Sequence, residues 1–152
     1  RFDNNAYLLK NITTNEGIII DAPEEPENIL AQVGDTQVVA ILITHNHMDH
    51  LAGLEELRLS TQAPVWIHSA DSAVISPPAE QQISGGESIR IGQLEIHSIF
   101  TPVHNKRNML VSGLARYYSH ISMSTSEASH RVQQNKDITF RPTIWNPVFI
   151  FT

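Results

Sequence analysis

Hydrophobic residues in the first two thirds of the chain fall into short runs with turn-forming residues between them. Residues 6–9 and 17–20 are apolar runs separated by a polar stretch, a pattern that predicts a β-hairpin. Residues 38–43 form a longer run without polar alternation, which is typical of a strand covered on both faces. Residues 88–91 and 94–100 flank a turn at Gly92 and predict a second hairpin.

Helical patterns lie between these strands. Residues 28–33 predict a short helix ending at Gly34, and Leu51, Leu54 and Leu57 recur at helical spacing. The segment between residue 43 and Leu51 is therefore predicted to be a strand-to-helix loop. Strands and helices alternate as far as His104, so we expect an α/β or α+β class with layered packing.

The pattern weakens after His104, and the charge reverses at the same point. Residues 1–104 hold 4 Lys and Arg against 14 Asp and Glu, whereas residues 105–152 hold 6 against 2. The second segment also lacks a clear strand period. We expect residues 105–152 to be mostly irregular, to pack poorly and to contain no carboxylate placed to bridge two metal ions.

Composition narrows the classes of function. The net charge of −6 argues against nucleic acid or an anionic membrane as the main partner, and a small-molecule substrate is the expected one. No apolar run approaches the roughly 20 residues that span a bilayer. We expect a cytoplasmic location, although the start at Arg1 leaves a preceding signal peptide open. The absence of cysteine restricts any metal ligands to histidine and carboxylate side chains.

The predicted loop at residues 44–50, here called the metal loop, has the sequence Thr-His-Asn-His-Met-Asp-His. In extended backbone, residues two apart point the same way, so His45 and His47 can reach one ion. Asp49 and His50 lie beyond the bend and can address a second position. These side chains suit zinc, and also iron or manganese. The alternative is a solvated histidine-rich loop with no ligand.

The order His-x-His-x-Asp-His after a hydrophobic strand resembles the metallo-β-lactamase superfamily. Asp21 ends an early strand, where that family places an acidic residue that braces the metal loop. The segment 101–104, Thr-Pro-Val-His, is similar to the family's Thr-Pro-Gly-His, although Val103 replaces the glycine. The opening residues 3–9 are similar to the glyoxalase II (hydroxyacylglutathione hydrolase-like) branch. This resemblance covers residues 1–104.

The resemblance implies an α+β fold, the αββα sandwich of the metallo-β-lactamase family, with an incomplete second half. Residues 1–104 would be the N-terminal part of this domain, and residues 105–152 its divergent or truncated remainder. His45, His47 and His104 would bind a first metal ion, and Asp49 and His50 a second. The resemblance implies one or two zinc ions, with iron or manganese as alternatives. Their activated water would attack a thioester, lactone or similar carbonyl, and Asp49 would act as the catalytic carboxylate.

The second segment departs from the family's pattern. Ser112-Gly113 is followed by Leu114 where the family has an aspartate that bridges both metals, and no aspartate lies between His104 and Asp137. We interpret His120, His130 and Asp137 as surface residues. His68 and His97 lie on predicted strands and are interpreted as structural.

Two alternatives to a hydrolase therefore stay open. One is a persulfide-dioxygenase-like oxidoreductase that uses related ligands for a single iron. The other is an inactive or incomplete fragment of the family that binds metal weakly or not at all.

Overall fold

A computed structural model of the chain describes residues 5–92, 94–100, 109–115, 119–123, 138–142 and 147–151. None of the helices in these ranges is long and apolar enough to cross a membrane. The elements are β1 (Tyr7–Asn11), β2 (Glu16–Ile20), α1 (Pro26–Val33), β3 (Gln37–Ile43), a 3₁₀ helix (Met48–His50), α2 (Leu54–Thr61), β4 (Val65–His68), a 3₁₀ helix (Ser72–Val74), β5 (Gln81–Ile83), β6 (Ser88–Ile91), β7 (Leu94–Phe100), β8 (Met109–Ala115), β9 (Ser119–Met123), β10 (Ile138–Pro142) and β11 (Pro147–Phe151).

The first sheet has seven strands in the order β10-β11-β1-β2-β3-β4-β5. The antiparallel pairing of β1 with β2 confirms the first predicted hairpin. From β2 to β5 every neighbouring pair is parallel, so these strands end at one common edge. That edge is where the chain leaves β3 into the metal loop.

Both faces of the first sheet are covered by apolar side chains. On one face, Ile41 and Ile43 belong to a core with Ile29 of α1 and Leu57 of α2. On the other face, alternate residues of the same strands pack against the hairpin of β6 and β7. This double cover explains why the run at residues 38–43 contains no polar position.

The second sheet has four strands in the order β6-β7-β8-β9, all antiparallel to their neighbours. The pairing of β6 with β7 confirms the second predicted hairpin. The described residues thus form three layers, with helices on one face of the first sheet and the second sheet on the other. This arrangement agrees with the α+β sandwich that the sequence predicted.

Within residues 105–152, which the sequence predicted to be mostly irregular, the structure describes four strands, and the rest of this segment lies outside the described residues. β8 and β9 extend the second sheet from β7, and β11 pairs in parallel with β1 at the other end of the chain. The local pattern did not predict them because Ser112 and Gly113 interrupt the apolar run of β8, and prolines begin or end the last two strands. Pairing with an existing strand edge supplies the hydrogen bonds that local propensity does not.

Candidate metal centre

The metal loop is held by backbone contacts to the segment that follows β2. The amide of Ala22 donates to the carbonyl of His50 at 3.0 Å, and the amide of Gly53 donates to the carbonyl of Ala22 at 2.8 Å. A Cβ atom on Gly53 would collide with the carbonyl oxygen of Pro23 and would lie 3.0 Å from Cβ of Pro26. A glycine is therefore needed at this close approach, directly before α2 begins.

Asp21 is the buried carboxylate beneath the loop, with 2% of its surface exposed. Its Oδ1 accepts hydrogen bonds from the backbone amide of Thr44 at 2.8 Å and from the Thr44 hydroxyl at 2.9 Å. The same hydroxyl lies 2.8 Å from Oδ2 of Asp21. Buried carboxylates require such donors because desolvation of an unpaired charge is costly. Asp21 therefore braces the loop, as the sequence predicted.

Thr44 connects this carboxylate to the first histidine. Its Oγ1 lies 3.0 Å from Nδ1 of His45. A hydroxyl has only one proton to donate, and Asp21 accepts it, so Oγ1 must accept from His45. Nδ1 of His45 then carries the ring proton, and Nε2 presents its lone pair. That is the tautomer in which Nε2 can bind a metal ion.

His45 and His47 meet at the nitrogens that a metal ion would use. Nε2 of His45 lies 3.0 Å from Nδ1 of His47. Since Nε2 has no proton in this tautomer, Nδ1 of His47 is the donor. Two nitrogens on one tetrahedral zinc ion, each about 2.0–2.1 Å away, lie about 3.3 Å apart. The observed pair is close to that spacing, so a metal ion would take the place of the shared proton.

The electrostatics of the site favour a neutral His45. Burial, helped by the neighbouring His50, lowers the pKa of His45 to about 4, against the opposing effect of the Asp21 and Asp49 charges. Imidazole binds metals in its neutral form, so His45 is ready to act as a ligand at neutral pH.

His50 lies beside His45, with ring centroids 4.1 Å apart. Its buried Nδ1 lies 2.9 Å from Oδ2 of Asp21, in a contact that lacks the alignment of a good hydrogen bond. Burial acts to lower the pKa of His50, but the carboxylates of Asp21 and Asp49 outweigh it and raise that pKa. Contact with Asp21 through Nδ1 leaves Nε2 as the atom for a metal.

The described residues bring together part of a candidate metal site. Two imidazoles with a nearby carboxylate, Asp49, suit zinc, iron or manganese. Within the ranges that the structure describes, however, no three His, Asp or Glu side chains converge closely enough to hold an ion. The predicted third ligand, His104, lies outside the described residues. His130 and Asp137 also lie outside them, and His120 is on β9.

A family model described as the metallo-beta-lactamase superfamily matches residues 1–138. This chain belongs to that superfamily. The match extends well beyond His104, and therefore includes β8 and β9 of the second sheet as well as the metal loop.

Relatives within the superfamily carry hydrolase names. A hydroxyacylglutathione hydrolase of Cereibacter sphaeroides is 36% identical over 103 residues, which are 67% of this chain and 40% of that protein. A probable metallo-hydrolase of Bacillus subtilis is 30% identical over 120 residues, covering 66% of this chain and 56% of the relative. The chain thus spans about two fifths of the length of the first of these relatives.

Two solved structures match the fold of the described residues. A B3 metallo-beta-lactamase, BLEG-1, has a TM-score of 0.61 at 21% identity, with 68% of this chain and 59% of that chain covered. ETHE1 from Myxococcus xanthus has a TM-score of 0.59 at 28% identity, with 68% and 46% covered. Both likenesses agree with the sandwich of the described residues.

Sequence reasoning did not identify Thr44 as part of the site. The feature that could have identified it is its place as a polar residue after an otherwise apolar strand, directly before the first histidine. Its role depends on Asp21, 23 residues earlier in the chain, so the motif alone could not reveal it.

Proposed function

We propose that this chain is a metal-dependent hydrolase of the glyoxalase II-like branch, acting on a thioester, lactone or similar carbonyl. The observation that supports this proposal most is the series of hydrogen bonds from Asp21 through Thr44 to His45. It fixes the His45 tautomer whose unprotonated Nε2 faces His47. Membership of the superfamily and the hydrolase names of its relatives point the same way.

In this proposal, His45, His47 and His104 hold the first metal ion, and Asp49 and His50 address a second. When bound, the metal lowers the pKa of water towards 7 and polarises the substrate carbonyl. Zinc is the expected metal, with iron or manganese as alternatives, because the chain offers nitrogen and oxygen ligands but no thiolate.

In this proposal, Asp49 is the carboxylate that handles the proton. It lies on the 3₁₀ helix between His47 and His50, and its charge raises the pKa of both His45 and His50. A carboxylate this close to the imidazoles can orient a water molecule and accept its proton during attack on the carbonyl. His45, held by Thr44, keeps its ring orientation during that step.

The test is metal content per chain by elemental analysis, combined with turnover of a generic thioester before and after chelation. We expect wild-type protein to bind metal and to lose its turnover with a chelator. His47→Ala should reduce both metal content and turnover. His97→Ala is the matched control, since His97 is a histidine on β7 whose ring contacts Ser88, 2.8 Å away. Turnover that survives complete metal removal, or full metal binding by His47→Ala, would contradict the proposal.

The second candidate is a persulfide-dioxygenase-like enzyme with a single iron. The likeness to ETHE1 supports this alternative. The absence of an aspartate between His104 and Asp137 instead favours an inactive or incomplete member of the family. Iron as the retained metal, together with substrate-dependent oxygen consumption, would identify the dioxygenase-like enzyme. A chain that retains no metal would instead be an inactive member of the family.

A further inference from the structure

A fourth histidine, His68, lies at the same sheet edge as the three histidines of the metal loop. β3 and β4 are parallel neighbours with Ile43 opposite Ile67, so Thr44 and His68 follow at the same level of the sheet. His68 is the last residue of β4 and is buried. The sequence predicted a structural role for His68, and the strand register places it beside the metal loop.

The ring of His68 stacks on the ring of Phe100. Their centroids are 4.6 Å apart and the rings are inclined by 16°. Phe100 is the last residue of β7, which belongs to the second sheet. The stack therefore joins the two sheets at the edge where the metal loop leaves the first one.

A backbone hydrogen bond sets the orientation of the His68 ring. The amide of Ala70 donates to Nδ1 of His68 at 3.2 Å. Nδ1 is thus the acceptor, and the ring proton of the neutral imidazole is on Nε2. The face of the ring, rather than a ring nitrogen, is what His68 presents to Phe100.

Phe100 is also confined by the turn before β6. A Cβ atom on Gly85 would lie 2.9 Å from Cβ of Phe100 and 3.0 Å from its backbone nitrogen. His68 and Gly85 together therefore fix the position of the residue at which β7 ends. The chain continues from Phe100 to His104 over four residues.

We propose that His68 is a positioning residue for the metal centre: its stack on Phe100 fixes where β7 ends, and so where the chain begins its approach to His104. The inference rests on the proposed function, in which His104 shares an ion with His45 and His47. Four residues of extended chain span at most about 14 Å, so the position of Phe100 limits where His104 can lie.

Two substitutions separate the contacts of His68. His68→Phe keeps the aromatic face and loses the Nδ1 acceptor, which the exposed Ala70 amide can replace with water. His68→Asn keeps an acceptor near Ala70 and loses the ring. Phe100→Leu removes the same stack from the other side, and His97→Asn is the control on β7.

Zinc dissociation constants, measured by competition with a chromophoric chelator, test the proposal in the full chain. We expect His68→Asn and Phe100→Leu each to weaken zinc binding by about tenfold or more, while His68→Phe and His97→Asn stay near wild type. The double variant His68→Asn/Phe100→Leu should bind no more weakly than either single variant. Equal affinities of His68→Asn and wild type, or a loss in His68→Phe as large as in His68→Asn, would overturn it.

Amide hydrogen exchange in metal-free protein separates this inference from the proposed function. Residues 99–101 should exchange faster in His68→Asn and Phe100→Leu than in wild type, and at the wild-type rate in His68→Phe. If wild type binds no metal but this pattern holds, the proposed function fails and the positioning of β7 by His68 stands. If exchange is unchanged in both stack variants, the positioning inference fails whatever the metal content.

Discussion

Two carboxylates organise two different turns of this protein, one beneath the metal loop and one before β6. Asp21 is buried and accepts hydrogen bonds from the amide and hydroxyl of Thr44. Glu87 is partly exposed and accepts from the amides of Ser84 and Gly85 and from the hydroxyl of Ser98, at 2.7–2.8 Å. Each carboxylate thus accepts hydrogen bonds from backbone amides and from a hydroxyl group.

The difference lies in what the carboxylates hold. Asp21 orients the hydroxyl of Thr44, and this hydroxyl sets the tautomer of His45. Asp21 therefore acts on an imidazole of the candidate site. The contacts of Glu87 end within its own turn and the adjacent β7. Burial also makes each lost contact of Asp21 costly, whereas water can replace much of what Glu87 provides. Similar local chemistry therefore organises the candidate metal site at one edge and a turn at the other.

The largest expected effect concerns Asp49, the second carboxylate on the metal-loop side. Asp49→Ala should lower hydrolytic turnover by roughly 10²–10⁴-fold, because it removes the proposed proton acceptor. Occupancy of the first metal position should stay largely intact, since that position is assigned to three histidines. Turnover and metal content of the same preparation measure both. Asp35→Ala, at an exposed loop position, is the control; loss of all metal together with loss of fold would make Asp49 a structural brace instead.

The next prediction tests the Asp21 side of the comparison directly. Asp21→Asn should lower the free energy of unfolding by about 2–4 kcal/mol, because an amide leaves His50 and the Thr44 donors incompletely paired in a buried site. Asparagine also tolerates the left-handed backbone of Asp21, at φ 63°, so backbone strain is not introduced. Urea denaturation of metal-free protein measures the loss. An effect below that of Glu87→Gln would show that burial does not distinguish the two carboxylates.

Gly85 and Gly86 form a matched pair on the Glu87 side. Both have positive φ, at 105° and 97°, but only Gly85 has a neighbour within 4 Å of an added Cβ, namely Phe100. Gly85→Ala should lower the free energy of unfolding by about 2–3 kcal/mol, because it adds backbone strain and overlap with Phe100. Gly86→Ala should lower it by about 1 kcal/mol, because it adds backbone strain alone. Thermal unfolding of the two variants gives the comparison. Equal losses would mean that Phe100 is not confined by this turn.

The smallest effect is expected for Glu87→Gln. Burial acts to raise the pKa of Glu87, but hydrogen bonds from Ser84, Ser98 and Gly85 outweigh it and lower that pKa to about 2, from an ordinary 4.5. A carboxyl with a depressed pKa stabilises the fold above pH 4.5, and this contribution is lost as the pH falls towards 2. The exposed position limits the loss at pH 7 to less than about 1 kcal/mol. Stability measured from pH 7 to 2 should fall less steeply in Glu87→Gln than in wild type, and parallel curves would exclude Glu87 as a contributor.

The sequence predicted the strands and helices that depend on the local spacing of apolar residues. Both hairpins, the buried strand β3 and the helix containing Leu54 and Leu57 follow from short-range periodicity, and the structure contains each of them. The metal loop was also predictable, because its ligand residues lie within six positions of the chain. The structure brings His45 and His47 together, and the roles of His45, His47 and His104 as metal ligands stay predictions.

What the sequence alone determined about this protein is its family, the strand-to-helix loop at residues 44–50 and the imidazole and carboxylate side chains of that loop. Those properties depend on the spacing of neighbouring residues, which a linear pattern records. Tertiary structure alone decided the partners of that loop: Asp21 beneath Thr44, His50 against Asp21, and His68 against Phe100 of the other sheet. It also decided that β11 pairs with β1. These contacts join residues far apart in the chain, and only the order and register of the strands bring them together.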